Sequence, residues 1–138
     1  MRVLVDTTIW SLALRRRDPK PTERALTDEL SELIGELRAV IIGPIRQEVL
    51  SGIPDPNVFS DVQQHLEAFD DLPIETEDYV EAARMFNICR AGGVQGSHTD
   101  FIICAVSNRH SAPVFTTDKD FEQYSHHLDL RLHSPREQ

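Results

Sequence analysis

The chain has 138 residues, which fits one domain spanning 1–138 and leaves little room for a second, and about 40% of them are apolar with few aromatics, so an aliphatic core is expected. A net charge of −9 argues against a general nucleic-acid coat protein, because phosphate binding rests on clustered Lys and Arg, but it leaves room for a site whose acids hold cations. The apolar run after Met1 is broken at Asp6 and is too short for a signal peptide, no stretch is long enough to span a bilayer, and Cys89 and Cys104 fit no zinc spacing; a cytoplasmic protein with two reduced core thiols is expected.

In chain order, Val3-Leu4-Val5 is the first strand. Thr22 can cap a helix running to about Arg38, with Leu26, Leu30, Leu33, Ile34 and Leu37 along one face. Ala39 to Ile42 reads as a second strand. Pro44 suits the first turn of a short helix that Gly52 would stop. Residues Asn57 to Asp70 carry Val58, Val62, Leu66 and Phe69 at helical spacing, and Leu72-Pro73-Ile74 is a weaker strand candidate. Thr76 can cap a helix that ends at Gly92-Gly93, and Ser97 opens another through Phe101, Ile102, Ala105 and Val106. Pro113 to Thr116 is a third clear strand, Lys119 to His126 a short helix, and Leu128, Leu130 and Leu132 alternate as a half-buried edge strand would. The clear strands are continuously apolar, as in strands buried on both faces of a parallel sheet. Alternating strands and helices imply an α/β fold with a mainly parallel sheet.

The acids fall in a pattern. Asp6 directly follows the first strand, Glu48 lies one helical turn beyond the second, and Asp118 follows the third. In open parallel sheets ligands bind at the carboxyl ends of strands, so these three face one edge, and Asp100 in the first turn of the Ser97 helix can be aimed at the same place. Four gathered carboxylates repel one another unless protons or a cation intervene, and an oxygen-only donor set favours Mg²⁺ or Mn²⁺ over zinc. Such sites hydrolyse phosphodiesters. Each acid also has a plain structural reading: Asp100 three residues after Ser97 suits a helix start, Glu48 suits an early helical turn, Asp118 can cap the following helix and Asp6 can begin a turn. Capping alone does not explain why all four converge.

Four segments carry a resemblance. Val5-Asp6-Thr7-Thr8-Ile9-Trp10 resembles the opening of PIN domains, where a strand ends in Asp-Thr-Ser/Thr and an apolar helix begins. Pro44-Ile45-Arg46-Gln47-Glu48-Val49 resembles their second motif, Asp100-Phe101-Ile102-Ile103-Cys104-Ala105 the third, and Thr116-Thr117-Asp118-Lys119-Asp120-Phe121 the fourth. The likeness spans nearly the whole chain and is strongest in the first and fourth motifs. It implies a three-layer PIN-like fold, a mainly parallel five-stranded sheet flanked by helices, with Mg²⁺ or Mn²⁺ at the acids and endoribonuclease activity. Among short members of that family it points to VapC-type toxins, which pair with a small VapB-like antitoxin that blocks the site; a homodimer is expected as well. On the resemblance, Asp6, Asp100 and Asp118 bind metal and Glu48 positions metal-bound water. Thr7 and Thr116 hold the acids or a water through their hydroxyls, and Asp120 is a supporting acid. One departure stands before the third motif, where the chain reads Gly96-Ser97-His98-Thr99 in place of an extra small or acidic residue; His98 is either a phosphate neighbour or a surface residue.

Three further features have two readings each. Arg15-Arg16-Arg17 is either a solvated helix end or a guide for the RNA backbone. The Leu26 to Leu37 stripe is mostly core, part of it being free to form a groove for an antitoxin helix. His126-His127 point apart on a helix and make a poor metal pair. Two alternatives to the nuclease remain: a non-catalytic PIN-like binding module, which loss of an acid would signal, and an acidic-site phosphatase or phosphotransfer domain, which would want a second Asp two residues after a nucleophilic Asp6.

Overall fold

Among the described residues ten elements follow one another: β1 (Val3–Val5), α1 (Thr7–Arg15), α2 (Pro21–Gly35), β2 (Ala39–Val40), α3 (Gly43–Ser51), α4 (Pro56–Leu66), α5 (Thr76–Ala91), α6 (His98–His110), β3 (Val114–Phe115) and α7 (Asp120–Ser125). This computed structural model describes residues 1–15, 18 and 20–137, without the side chain of Arg15.

The sheet is parallel with strand order β2-β1-β3; Leu4 stands opposite Val40 on one side and Val114 on the other. β1 is fully buried across all three residues, which is why its sequence is continuously apolar. Five strands were expected, and among the described residues three form. Single parallel bridges, Ile41 to Asp71 and Val114 to Leu132, extend the ladder by one residue on each side. On the β2 side Leu72 donates its N–H to the Ile41 carbonyl at 2.9 Å, and α3 begins at Gly43, so no strand remains there to pair with. Leu130 donates its N–H back to the Leu128 carbonyl at 2.9 Å, which turns the chain before it can run extended.

Helices surround this sheet. α6 is buried continuously from Phe101 to Ser107, so it is apolar all round and sits inside the core. α5 is fastened to it by a two-armed ion pair: Arg109 Nε donates to Asp78 Oδ1 and Nη2 to Asp78 Oδ2, both at 2.8 Å. Arg46 on α3 does similar work at the end of α4, donating to the carbonyls of Leu66 and Phe69 and to Asp71. Phe69 thereby stays against Trp10 of α1, ring centroids 4.9 Å apart, and the Trp10 indole N–H ties α1 to the Val5 carbonyl at 3.0 Å.

Several boundaries differ from expectation. α2 starts with Pro21 in its first turn rather than on a Thr22 cap, and Lys20 donates its N–H to Glu23 at 2.9 Å. It ends at Gly35, and Leu37 sits at φ 59° with 91% of its surface exposed. Leu30 and Leu33 are core residues, 2% and 0% exposed, so that part of the stripe offers no groove. α4 is capped by Asp55 and stops at Leu66 instead of reaching Asp70; α5 is capped one residue earlier than expected, at Glu75. Cys89 and Cys104 are buried free thiols. Among the described residues no helix is long and apolar enough to cross a membrane.

Candidate active site

Parallel pairing of β1 with β3 brings two motifs together. The Asp6 N–H donates to the Phe115 carbonyl at 2.9 Å, so the ends of the two strands leave the sheet side by side. Just beyond, the Thr116 hydroxyl donates to Asp6 Oδ2 at 2.7 Å and accepts the Asp118 N–H at 3.0 Å. One hydroxyl thus links both strand-end acids. Thr8 supports it: its Oγ1 lies 3.3 Å from Thr116 Oγ1 and accepts the Thr117 N–H at 3.1 Å. This is the holding role the sequence suggested for Thr7. The Thr7 hydroxyl is instead buried without a hydrogen-bond partner among the described residues.

α6 delivers the third acid. Ser97 Oγ accepts the Asp100 backbone N–H at 3.0 Å, so the helix cap itself uses the main chain of Asp100. Asp100 Oδ2 accepts the Tyr124 hydroxyl at 2.6 Å. Asp118 Oδ1 accepts the Asp120 N–H at 2.9 Å at the start of α7. Carboxylate oxygens of Asp100, Asp118 and Asp120 lie within 4.8 Å of one another. Asp120, expected only as a supporting acid, therefore stands inside the cluster. Asp6 is not one of those three, although the charges of Asp100 and Asp118 act on it. Glu48 projects from α3 into a cleft of about 350 Å³ lined also by Thr7, Pro44, Gln47, Ser51 and Thr99.

The electrostatics agree with the geometry. Burial pushes the Asp6 carboxyl above its ordinary range; the Thr116 hydroxyl and the Thr7 N–H pull the other way, and Asp100 and Asp118 add to the rise. Asp100 is raised by burial, against the pull of Tyr124 and Ser97, with Asp118 and Asp120 adding repulsion. Glu48 is raised by burial and then by Asp6 and Asp100. Asp6 and Glu48 therefore both sense the charge of Asp100, which itself senses Asp118 and Asp120.

These donors suit a hard divalent cation. All are oxygens, their mutual repulsion is what a cation would relieve, and the orphaned Thr7 hydroxyl beside the cleft wants a water or ligand. Magnesium typically takes only one or two carboxylates directly and keeps several waters, so not every acid of the site needs to touch the ion.

Other candidate residues lie apart from this arrangement or outside it. His98 is exposed and stacks on Phe86 at 5.2 Å and 14°. Among the described residues neither His126 nor His127 joins a group able to hold a metal. Arg16, Arg17 and the side chain of Arg15 lie outside the described residues. Tyr124 and Thr8 were not singled out from sequence. Thr8 had a signal, as the second of two threonines after a strand-end acid. Tyr124 had none: it reads as one more apolar position of a short helix.

Comparison with known proteins gives a consistent picture. The family pattern described as PIN domain matches residues 3–126. Two ribonucleases, "VapC ribonuclease Mb1587" of Mycobacterium bovis and "Ribonuclease VapC11" of Mycobacterium tuberculosis, are each 28% identical to this chain, covering 97% of it and 99% of their own length. Among solved structures, FitAcB from Neisseria gonorrhoeae superposes with a TM-score of 0.77 at 22% identity, over 96% of this chain and 97% of that one. VapBC-1 from nontypeable Haemophilus influenzae gives 0.73 at 15% identity, over 96% and 97%. At such identities the structural likeness speaks for the fold.

Proposed function

The chain belongs to the PIN domain family, and from that premise we propose that it is a divalent-metal-dependent endoribonuclease, the toxin half of a type II toxin–antitoxin pair acting in the cytoplasm. The observation that carries the reading is the convergence of Asp100, Asp118 and Asp120 within 4.8 Å at the carboxyl ends of β1 and β3, with Asp6 and Glu48 coupled to them. Near full-length similarity to two VapC ribonucleases supports the choice of substrate.

Asp6, Asp100 and Asp118 would hold Mg²⁺ or Mn²⁺, with Asp120 beside them. A bound ion of this kind lowers the pKa of a water and offsets phosphate charge. The chain's own residues do the rest. Thr116 fixes Asp6 and Asp118 relative to each other, so the donor set is organised before substrate arrives. Glu48, with its affinity for protons raised, orients the attacking water and accepts its proton on a carboxylate oxygen. The water oxygen bonds to phosphorus as one ribose P–O bond breaks, and the leaving oxygen takes up a proton. Retention of all four motif acids argues against a purely binding module.

A free acidic nuclease needs restraint. A small VapB-like antitoxin would present a basic side chain to the acids, and Arg suits them because its planar fork can pair with carboxylates in a bidentate manner. The experiment is cleavage of a structured RNA with Mg²⁺, with Mn²⁺ and with EDTA, together with co-purification of any small protein encoded alongside. Cleavage that persists in EDTA refutes metal dependence; no cleavage under any condition refutes the nuclease.

A further inference from the structure

Tyr124 has properties that core packing does not require. Its ring is fully buried and held on two sides, by Phe101 at 4.9 Å and by Phe121 at 5.3 Å. Its hydroxyl reaches across from α7 to α6 and donates to Asp100 Oδ2 at 2.6 Å. A phenylalanine would fill the same space; only the hydroxyl needs a tyrosine. The chain also makes room for that hydroxyl. A Cβ at Gly96 would collide with the Tyr124 oxygen and ring, although Gly96 has no positive φ that would itself demand glycine. Ser97, next in the chain, caps α6 through the Asp100 N–H. Gly96, Ser97 and Tyr124 therefore fix Asp100 from three directions: room for its partner, position of its backbone, and direction of one carboxylate oxygen.

We propose that Tyr124 is a positioning residue of the metal site: by occupying Oδ2 of Asp100 it turns Oδ1 toward the cluster with Asp118 and Asp120, and Gly96 is the residue that permits it. The inference rests on the metal-dependent reading above. Groups that orient a metal-binding side chain commonly change metal affinity by roughly 10–100-fold when lost. Without the hydroxyl, Asp100 keeps its charge but loses its orientation and a partner that stabilises its ionised form.

The test is Tyr124→Phe, with Gly96→Ala as the second variant, in Mn²⁺ titrations by calorimetry on the full chain. Tyr124→Phe should bind Mn²⁺ about tenfold more weakly while its metal-free melting temperature stays near that of the parent, because both rings that pack on it are retained. Half-saturating Mn²⁺ in the RNA cleavage assay should rise by the same factor, with activity at saturating Mn²⁺ largely restored. Gly96→Ala should weaken Mn²⁺ binding with the tyrosine still present. Parental Mn²⁺ affinity in Tyr124→Phe overturns the positioning role, as does a metal-free melt that falls in step with activity. No Mn²⁺ binding by the parent protein overturns the metal reading itself, and this inference with it.

Discussion

The acid cluster should make stability depend on metal and pH together. Asp6, Glu48 and Asp100 all have carboxyls raised above their ordinary range in the folded chain, chiefly by burial, with the charge of neighbouring acids adding to the rise. An acid whose folded pKa is raised contributes stability that is complete below its unfolded pKa, near 4, and is lost as pH rises through the folded value. The metal-free protein should therefore be more stable at an acidic pH, where these carboxyls hold their protons, than at a higher pH, where they have ionised. A cation reverses that loss. At a hundredfold excess over its dissociation constant it stabilises by about 2.7 kcal/mol. A domain of this length has an unfolding entropy of about 290 cal/mol/K, so the expected rise in melting temperature is about 9 °C. The rise should be larger at the higher pH, where protons no longer compete for the oxygens. Melts followed by circular dichroism in EDTA, Mg²⁺ and Mn²⁺ at both pH values measure it. Identical melts in all three solutions would refute the reasoning, because carboxylates that repel one another cannot ignore a divalent ion.

Asp6→Asn should abolish RNA cleavage and leave the metal-free melting temperature equal or higher, since it removes one of the repelling charges; a collapsed fold in circular dichroism would contradict this. Asp100→Asn should likewise stop cleavage, yet lose no more than the 0.5–2 kcal/mol typical of a helix cap, because the Ser97 cap takes the backbone N–H; denaturant melts and turnover on one preparation decide it. Arg46→Ala should behave in the opposite way. It removes donors to Leu66, Phe69 and Asp71 at a cost of about 2 kcal/mol in urea titrations, while Mn²⁺ affinity in calorimetry should not move.

What was legible in the sequence is what local chemistry decides. Continuous apolar runs at Val3–Val5 and Val114–Phe115 mark strands buried on both faces, and an acid placed soon after each stands at the sheet edge. The Ser97 to Asp100 spacing marks a helix start. What was not legible depends on partners far apart in the chain. Tyr124 meets Asp100 across 24 residues, and Glu29 is buried because His133 and Arg136, more than 100 residues away, both donate to it at 2.6 Å. A glutamate on an amphipathic helix carries no local sign of such partners. The outer strands failed for a related reason. Alternation of Leu128, Leu130 and Leu132 has the period of a strand, but one early turn is enough to reduce pairing to a single bridge.

The acids also show that helix capping and a place in the cluster are compatible. Asp100 contributes its N–H to the cap and its carboxylate to the cluster, and Asp118 uses Oδ1 to accept the Asp120 N–H while its other oxygen stays available. A carboxylate has two oxygens and several lone pairs, so one can serve the helix start while the other faces a ligand. That division has a consequence for the site. An anchored acid is a stiffer donor than a free one, and Asp6, Asp100 and Asp118 are all anchored, with Thr116, Tyr124 and the α7 backbone among their partners. The helix starts and the strand ends are thus not merely near the cluster: they set the direction of each carboxylate, so the elements that form the fold also determine which oxygens remain for a cation.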